Sequence, residues 1–339
     1  MSDRSGRFIT GLLLGLTIGV GCAGPEPSGP RVETPGPSSS VVTDRDLLIA
    51  FTGDQDVGPE ARAVLALIRD EGADACIISG DLGYDFGADA WISMMEEVLP
   101  PDFPVFASIG NHDDDWPAYR NWLVTRAEGE WTGDYGIDSS HLFRGLFFVL
   151  SGAGTTGDDD EHAAYVQAAF AASGQAWKLL SMHKQMQAMQ VGGKDDATGW
   201  PVFENAREAG AIIITAHEHS YHRTHVLSDM SDQIVVDDRS PYVLQPGQTF
   251  TAVSGLGGRS IRDQERCLPP VPPYGCNGEW AVIYTSDQSA TWGALFLQFH
   301  VDGNPLKARG WFKNVDGDVV DEFELYQEGF VPTGIPAGP

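Results

Sequence analysis

Polar side chains end five separate apolar runs of this sequence. Two of the runs end in a carboxylate, one in an amide next to an imidazole, and two in imidazoles. The residues are Asp54, Asp81, Asn111, His112, His183, His217 and His219. A single such residue is typical of a turn or a helix cap, but five in order are not. Since the carboxyl ends of parallel strands meet at one edge of a sheet, we expect these side chains to lie together there.

This set of donors is typical of a transition-metal site. Imidazole, carboxylate and carboxamide groups suit zinc, iron and manganese, and the runs offer none of the paired thiolates of structural zinc. His217 and His219 are two residues apart, so an extended segment would point both to the same side. There are more donors than one ion needs. Two ions about 3.5–4 Å apart, bridged by a carboxylate, would use them and would suit in-line displacement at phosphorus.

The elements that must position these residues alternate between strands and helices. From Leu47 to about Tyr221, short apolar runs alternate with amphipathic stretches such as EARAVLALIRDEG and DAWISMMEEVL. This rhythm predicts strands joined by right-handed helical crossovers. After Tyr221 the helical patterns stop, and the remaining third is predicted as strands and turns. The sequence therefore predicts an α/β fold of mixed sheets flanked by helices, with a β-rich C-terminal third completing the same domain.

The motifs around the strand ends resemble those of the calcineurin-like metallophosphoesterases. The resemblance covers about half of the chain, and the order, residue type and strand context of the motifs all agree. The motifs are GDQD at 53–56, GDLGY at 80–84, GNHD at 110–113, MHKQ at 182–185 and AHEHSYHR at 216–223. The resemblance implies the layered fold of that superfamily and a phosphoesterase activity.

Within the superfamily, the sequence is most similar to the purple acid phosphatases, which include the tartrate-resistant acid phosphatases. Most members carry Asp-x-His in the first motif, whereas Asp56 stands at the histidine position here. Purple acid phosphatases also lack that histidine and use a tyrosine in the second motif, which Tyr84 matches. The Ser-Tyr-His-Arg after the last motif is similar to their Ser-Tyr-Glu-Arg, with His222 in place of glutamate.

The resemblance implies a ligand set for two metal ions. Asp54, Asp81, Tyr84 and His219 would hold the first ion, with ferric iron favoured by the phenolate. Asp81, Asn111, His183 and His217 would hold the second ion, which would be Fe(II), Zn(II) or Mn(II). Asp81 would then bridge the two ions. Asp56 is an alternative ligand of the first ion, and in that case Tyr84 would not bind metal.

The same resemblance suggests a mechanism. A hydroxide bridging the ions would attack phosphorus, because the charge of the ions lowers its pKa. His112 would be the general acid that protonates the leaving alkoxide, and Asp113 would orient or charge His112. His222 and Arg223 are candidates for the substrate side, or are simply the continuation of a loop.

These residues are compatible with three functions. The first is an acid phosphatase-type phosphomonoesterase acting on small organic esters. The second is a phosphodiesterase or nucleotidase that uses the same two-metal site. The third is a surface protein that binds metal or phosphate without turnover. The natural substrate is not readable from the motifs, because specificity in such folds depends on the loops.

Charge limits the partners of this protein. The formal net charge of −27 should repel nucleic acid and anionic membrane surfaces, so we expect no nucleic-acid partner. A small phosphate ester is compatible with it, because bound metal ions dominate the local field. The acidic surface favours a monomer.

The N-terminus predicts an exported protein. Arg4 and Arg7 precede an uncharged run that ends in small residues around Cys22, so residues 1–22 are predicted as an export signal. Lipidation of Cys22 would make a bacterial cell-envelope lipoprotein, in the periplasm or on the outer surface, whereas cleavage after Ala23 would release a secreted protein. We favour lipidation, although Gly19 stands where a larger aliphatic residue is usual.

The remaining boundaries follow from composition. Residues 23–43 are rich in Pro, Gly and Ser and are predicted as a tether. Residues 44–330 would form the phosphoesterase domain, and residues 331–339 a tail. Cys267 and Cys276 flank a Pro-rich loop and are predicted to form a disulfide, as expected for an oxidising compartment.

Overall fold

The computed structural model of the chain describes residues 46–328. These residues lie within the predicted domain of residues 44–330. The export signal, Cys22, the tether and the tail fall outside the described residues. Within the described part, no helix is long and apolar enough to span a bilayer.

Three strand–helix pairs open the domain, as predicted. They are β1 (Leu47–Thr52), α1 (Pro59–Asp70), β2 (Ala75–Ser79), α2 (Gly87–Val98), β3 (Val105–Ser108) and α3 (Trp116–Arg126). All of β2 and β3 is buried, which explains their continuous apolar runs. Helix α1 instead buries only one stripe, Ala61, Val64, Leu65 and Ile68, at the spacing of a helix face.

The middle of the chain continues the alternation after a hairpin that the pattern did not predict. The elements are β4 (Glu130–Asp134), β5 (Asp138–Phe143), β6 (Leu146–Ser151), α4 (Asp159–Ala172), β7 (Trp177–Met182), α5 (Trp200–Glu208) and β8 (Ile212–Thr215). Strand β4 is largely exposed and contains a glycine, so its sequence, EWTGD, carries no apolar signal. The side chain of Asp158 caps α4 by accepting hydrogen bonds from the backbone N–H groups of Asp160 and Glu161.

The C-terminal third is built from strands, which confirms the prediction. These are β9 (Tyr221–Thr224), β10 (Val226–Asp229), β11 (Ile234–Asp237), β12 (Tyr242–Leu244), β13 (Thr251–Ser254), β14 (Trp280–Tyr284), β15 (Gly293–Phe299), β16 (Lys307–Asn314) and β17 (Val319–Gln327). Between α5 and residue 328 the helical turns are short 3₁₀ segments.

Two large mixed sheets form the centre of the domain. The first has the order β12-β17-β16-β15-β1-β2-β3, and the second has the order β14-β9-β13-β8-β7-β6-β5-β4. Strands β1, β2 and β3 are parallel, as are β6, β7, β8 and β13. Strand β15 joins the C-terminal third to the first sheet by pairing antiparallel to β1. Strands β10 and β11 form a separate small ribbon.

The two sheets face each other, with helices on the outside. The hydroxyls of Ser79 on β2 and Ser181 on β7 are 2.9 Å apart, and Ser254 on β13 donates a hydrogen bond to the carbonyl of Phe51 on β1. Helices α1, α2 and α3 belong to the main hydrophobic core, while α4 and α5 enclose a second core against the other sheet. The layered α/β fold is therefore as predicted, but one expectation was wrong: the five polar strand ends belong to two facing sheets, not to one sheet edge.

Cys267 and Cys276 are joined by a disulfide that closes the Pro-rich loop between them. The thiol of Cys76 is buried in β2.

Candidate metal centre

A first cluster of donor atoms forms where β1, β2 and β8 end. The Tyr84 hydroxyl lies 3.0 Å from Oδ1 of Asp54 and 3.3 Å from Nε2 of His219, and the last two atoms are 3.5 Å apart. The Nδ1 atom of His219 lies 2.8 Å from the backbone carbonyl of Ser260. A proton on Nδ1 would make that hydrogen bond and leave Nε2 free to face the cluster.

A second cluster lies where β2, β7 and β8 end. Nε2 of His183 is 3.2 Å from Oδ2 of Asp81 and 3.1 Å from Nδ1 of His217. His183 Nδ1 is 2.8 Å from the carbonyl of Ser79, an arrangement that directs Nε2 to the cluster in the same way. Asp81 also interacts with the Tyr84 hydroxyl, so it links the two clusters.

Two buried oxygens of the ligand motifs have no hydrogen-bond partner among the described residues. They are Oδ2 of Asp54 and Oδ1 of Asn111. Asn111 lies next to His112, whose backbone N–H donates a 2.8 Å hydrogen bond to Oδ1 of Asp81. Buried polar atoms in folded proteins are normally paired, so an unpaired Asp54 oxygen beside Tyr84 and His219 fits a metal ion. Asp81, His183 and His217 likewise form a group that could hold a metal ion.

The backbone at this site is unusual. Asp54, Asp81, Tyr84 and His217 all have φ between 46° and 64°, a region that non-glycine residues rarely adopt. Such conformations cost about 1–3 kcal/mol each and concentrate at functional sites. The 217–219 segment is a series of bends and not the extended run we expected. Both histidines still reach the site, but His217 joins the second cluster and His219 the first.

Two motif glycines allow close contacts with the ligands. A Cβ atom at Gly110 would lie 2.0 Å from the backbone nitrogen of Asp81 and 2.3 Å from its Oδ1. A Cβ atom at Gly255 would lie 2.6 Å from Oδ2 of Asp54. Gly255 belongs to the SGLGGRS stretch, which therefore packs directly behind the first cluster.

Burial dominates the electrostatics of the site. Desolvation raises the pKa of Asp54 to about 7 and lowers the pKa of His219 to about 3. It also lowers the pKa of His217 strongly. Desolvation acts in the same downward direction on His183, but the charges of Asp81 and Asp54 and the hydrogen bonds to Asp81 and Ser79 together raise the His183 pKa. Perturbed groups that lie together in this way mark a functional site.

The structure brings Tyr84, and not Asp56, into the first cluster. Oδ2 of Asp56 lies 2.5 Å from a guanidinium nitrogen of Arg259. The same guanidinium lies 4.3 Å from the centre of the Tyr84 ring. The alternative in which Asp56 replaces Tyr84 as a ligand is therefore not supported, because the Asp56 carboxylate already has a cationic partner.

Asp113 does not have the role that the sequence suggested. Its buried carboxylate accepts hydrogen bonds from the backbone N–H groups of Asp81, Leu82 and Gly110, at 3.1, 2.7 and 2.7 Å. Burial raises its pKa to about 6. Asp113 thus ties the Gly-Asp and Gly-Asn motifs together, and no hydrogen bond joins it to the exposed His112 in the described structure. It is a positioning residue for the ligand loops.

The structure also corrects the suggestion that His222 and Arg223 face the substrate. Both are buried in β9. Arg223 makes a bidentate ion pair with Asp321, at 2.7 and 3.0 Å. His222 packs edge-on against Trp280, with its Nδ1 3.2 Å from the Ser220 hydroxyl. These contacts give the Ser-Tyr-His-Arg segment a role in the core.

Lys194 is a site residue that was not predicted from the sequence. Its Nζ lies 3.1 Å from Nδ1 of His217. In sequence, Lys194 is distinguished only by the Gly-Gly pair before it. Lysines in glycine-rich loops are common, so this pair does not indicate a functional residue. Nothing in the local pattern connects it to the histidine motif.

A cleft of about 270 Å³ opens beside the first cluster. It contains the His112 ring, whose centre lies 4.7 Å from that of Tyr84, and the side chain of Phe86, which is 61% exposed. The other lining residues are Asp85, Gly87, Asp114, Asp115 and Tyr119. The cleft gives a small molecule access to His112 next to the donor clusters.

Comparison with known proteins identifies the family. A profile of the Calcineurin-like phosphoesterase family matches residues 49–221, about half of the chain. No protein of curated function matches the chain significantly. Among solved structures, the chain is similar to GAP50, the anchor in the inner membrane complex of Plasmodium, with a TM-score of 0.55 at 12% identity over 86% of this chain and 99% of that chain.

Two further solved structures match less closely. PhoD has a TM-score of 0.48 at 9% identity, covering 81% of this chain and 72% of its own. A metallophosphoesterase from Sphaerobacter thermophilus has a TM-score of 0.30 at 12% identity, covering 83% and 88%. Likeness at such identities concerns the fold alone. The profile match, together with the motifs at the strand ends, shows that the chain belongs to the calcineurin-like phosphoesterase family, whose members are metal-dependent phosphoester hydrolases.

Proposed function

We propose that this protein is a binuclear-metal phosphoric ester hydrolase, and that it acts as an acid phosphatase-type phosphomonoesterase. The observation that carries the proposal is the pair of donor clusters, Asp54 with Tyr84 and His219, and Asp81 with His183 and His217. Each cluster offers three donors within a few ångströms, and Asn111, whose buried side-chain oxygen has no partner among the described residues, is the proposed fourth ligand of the second. Asp81 contacts both clusters and is the proposed bridge.

The proposed donors favour particular metal ions. Tyr84 would supply a phenolate, which favours Fe(III) in the first cluster, with Fe(II), Zn(II) or Mn(II) in the second. Two such ions supply Lewis-acid activation of water and neutralise the charge that develops on the phosphoryl group. Burial raises the pKa of the Tyr84 hydroxyl far above its usual value, so loss of its proton requires a strong cation beside it.

His112 is the proposed proton donor to the leaving group. Its backbone is fixed by the hydrogen bond to Asp81, while its ring is exposed in the cleft against Tyr84. An imidazole suits general acid catalysis near neutral or mildly acidic pH. The leaving alcohol would then occupy the cleft, where Phe86 offers an apolar surface.

The charge around the cleft favours small esters. Asp85, Asp114 and Asp115 line it, so a leaving group that carries further phosphates would be repelled. This supports a small monoester over a nucleotide. We further propose that the protein works outside the cytoplasm as an exported monomer, anchored through Cys22 or secreted, with no nucleic-acid partner.

The test is a parallel assay on the full chain loaded with metal. We expect a simple aryl phosphate monoester to turn over faster than the corresponding bis-aryl diester. Faster diester turnover would favour the phosphodiesterase alternative, and a metal-loaded protein inert to every ester would favour a binding protein.

The visible spectrum tests the first cluster separately. A ferric phenolate gives a charge-transfer band, which should disappear in Tyr84→Phe and persist in Tyr135→Phe. Tyr135 is a suitable control because it is also a buried tyrosine, and its hydroxyl donates to the backbone carbonyl of Val105. A band unaffected by Tyr84→Phe would rule out the proposed phenolate ligand.

A further inference from the structure

Lys194 brings a positive charge directly to the second donor cluster. It lies between the 3₁₀ helix Gln187–Met189 and α5, on the segment VGGKDD. Its ammonium is 3.1 Å from Nδ1 of His217. Asp54, Glu218 and Asp81 attract this charge. The metal-ligand motifs do not account for a lysine at this position.

The backbone that carries Lys194 is held in place. The carbonyl of Val191 accepts hydrogen bonds from the backbone N–H groups of Glu265 and Arg266, at 3.1 and 2.9 Å. The side-chain amide of Gln190 donates a 2.6 Å hydrogen bond to the carbonyl of Lys194 itself. The backbone is thus fixed beside the cluster, while the long, half-buried side chain keeps several rotatable bonds.

The contact with His217 uses the atom that would bind a metal ion. An ammonium group can only donate hydrogen bonds, so Nδ1 of His217 must be the acceptor. The lone pair of His217 Nδ1 can bind either the Lys194 ammonium or a metal ion, but not both at once. If His217 binds a metal ion, Lys194 loses this partner and is repelled by the ion, although its backbone remains anchored beside the site.

Three arginines around the site have close partners, whereas the exposed Arg262 lies 4.0 Å from the Glu218 carboxylate. Arg259 pairs with Asp56, and Arg223 pairs with Asp321. A guanidinium nitrogen of Arg266 donates to the carbonyls of Gln187 and Gln190. In the described structure, the Lys194 ammonium has one side-chain hydrogen-bond partner. That partner is His217, a proposed metal ligand.

We propose that Lys194 binds a phosphoryl oxygen of the substrate, and of the phosphate product, on the side of the second cluster. The inference rests on the proposed function and adds a residue that selects a dianionic phosphoryl group. A compact ammonium on a flexible stem suits this role, because it can leave His217 and donate to an oxygen that arrives with the substrate. Lys194 also competes with a metal ion for His217.

The experiment measures equilibrium binding by calorimetry, with no turnover required. Inorganic phosphate is titrated into the metal-loaded full chain, and metal is titrated into the protein in the absence of phosphate. In Lys194→Met we expect phosphate to bind about ten- to a hundredfold more weakly, the range of one hydrogen bond to a charged group. The metal ion should bind as tightly as in the wild type or more tightly. Lys194→Arg should recover part of the phosphate affinity.

Lys184→Met is the matched control. Lys184 follows His183 and contributes its charge at His217, but makes no hydrogen bond to it in the described structure. The Lys184→Met substitution removes the same charge as Lys194→Met and should change phosphate affinity little. Equal phosphate affinity in Lys194→Met and the wild type would overturn the proposal, as would an equal loss in both lysine variants. Weaker metal binding in Lys194→Met would assign Lys194 a structural role instead.

The outcome is distinguishable from a failure of the proposed function. Phosphate binding that depends on Lys194 in a protein that hydrolyses no ester would sustain the inference and contradict the phosphatase. An active phosphatase whose KM and phosphate affinity are unchanged in Lys194→Met would contradict the inference alone. A metal-loaded wild type that binds no phosphate would overturn it as well.

Discussion

The segment that follows β8 enters two buried polar regions that differ in one respect. At its start, His217 and His219 join the donor clusters, where a buried oxygen of Asp54 has no hydrogen-bond partner among the described residues. Two residues beyond His219 begins the second region, where Tyr221 and Arg223 both donate hydrogen bonds to Asp321. In the second region donors and acceptors are matched, and in the first they are not.

The matched region is complete without any ligand. Arg223 makes two hydrogen bonds to the Asp321 carboxylate, and its guanidinium lies 4.0 Å from the centre of the Phe323 ring. The Tyr221 hydroxyl takes a further position on Asp321, at 2.7 Å. Satisfied buried networks of this kind fix a unique core. The first donor cluster, in contrast, keeps a buried Asp54 oxygen with no partner among the described residues, which fits a bound cation. The comparison separates structural polar residues from functional ones within a single motif.

Removing Arg223 should cause the largest loss of stability. Arg223→Met leaves the Asp321 carboxylate buried without its cation, and breaking such a pair costs about 3–5 kcal/mol. We expect that loss in the free energy of unfolding by denaturant, with an unchanged number of metal ions per folded chain. Arg309→Met is the control, because its pair with Glu322 is exposed and should contribute about 1 kcal/mol at most. A variant that keeps full stability but loses metal would reverse the assignment of the two regions.

Asp113 tests whether a satisfied carboxylate beside the site positions the ligands. In Asp113→Asn an amide group must face backbone N–H donors of Asp81, Leu82 or Gly110. We expect metal affinity to fall about ten- to a hundredfold, as for other partners that orient ligands. The exposed neighbour variant Asp114→Asn should bind metal normally. If Asp113 instead charged His112, as the sequence suggested, the variant would shift the pH profile of turnover and leave metal affinity unchanged.

His141 extends the comparison to a buried imidazole outside the site. It stacks on Phe148 at 4.8 Å, and burial lowers its pKa to about 3, from a usual value of 6.5. The unfolded chain therefore takes up a proton more readily, so stability is full above pH 6.5 and falls as the pH drops towards 3. Between pH 7 and 5.5 this group should remove about 1 kcal/mol from the free energy of unfolding. Between pH 7 and 5.5, the free energy of unfolding of His141→Phe should fall by about 1 kcal/mol less than that of the wild type. An identical pH dependence in the variant would assign the acid sensitivity to other groups.

Much of the fold was predictable because its central strands are buried on both sides. The runs that form β1, β2, β3, β7 and β8 are mostly apolar, and a ligand motif follows the end of each. The missed strands have weaker signals. Strand β9 is Tyr-His-Arg-Thr, polar in sequence yet wholly buried, because Tyr221 and Arg223 both bind Asp321, which lies far along the chain.

The donor set was likewise predictable, but its surroundings were not. The ligand motifs carry their own turn geometry in a few consecutive residues. The division of the strand ends between two sheets depends on pairings such as β1 with β15, in which Leu47 pairs with Phe299, 252 residues further along the chain. Lys194 escaped notice for the same reason, since residues 265 and 266 hold its loop in place. Asp113 was misread because its partners are backbone groups of another motif.

The proposed function depends on two adjacent clusters that each hold a metal ion. Elemental analysis of the purified, folded full chain measures this, together with His219→Ala and His183→Ala, which each remove one donor from a different cluster. We expect about two ions per chain in the wild type and about one in each variant, with the ion that remains differing between them. A wild type that binds one ion or none after reconstitution, or a single histidine variant that loses both ions while staying folded, would contradict it.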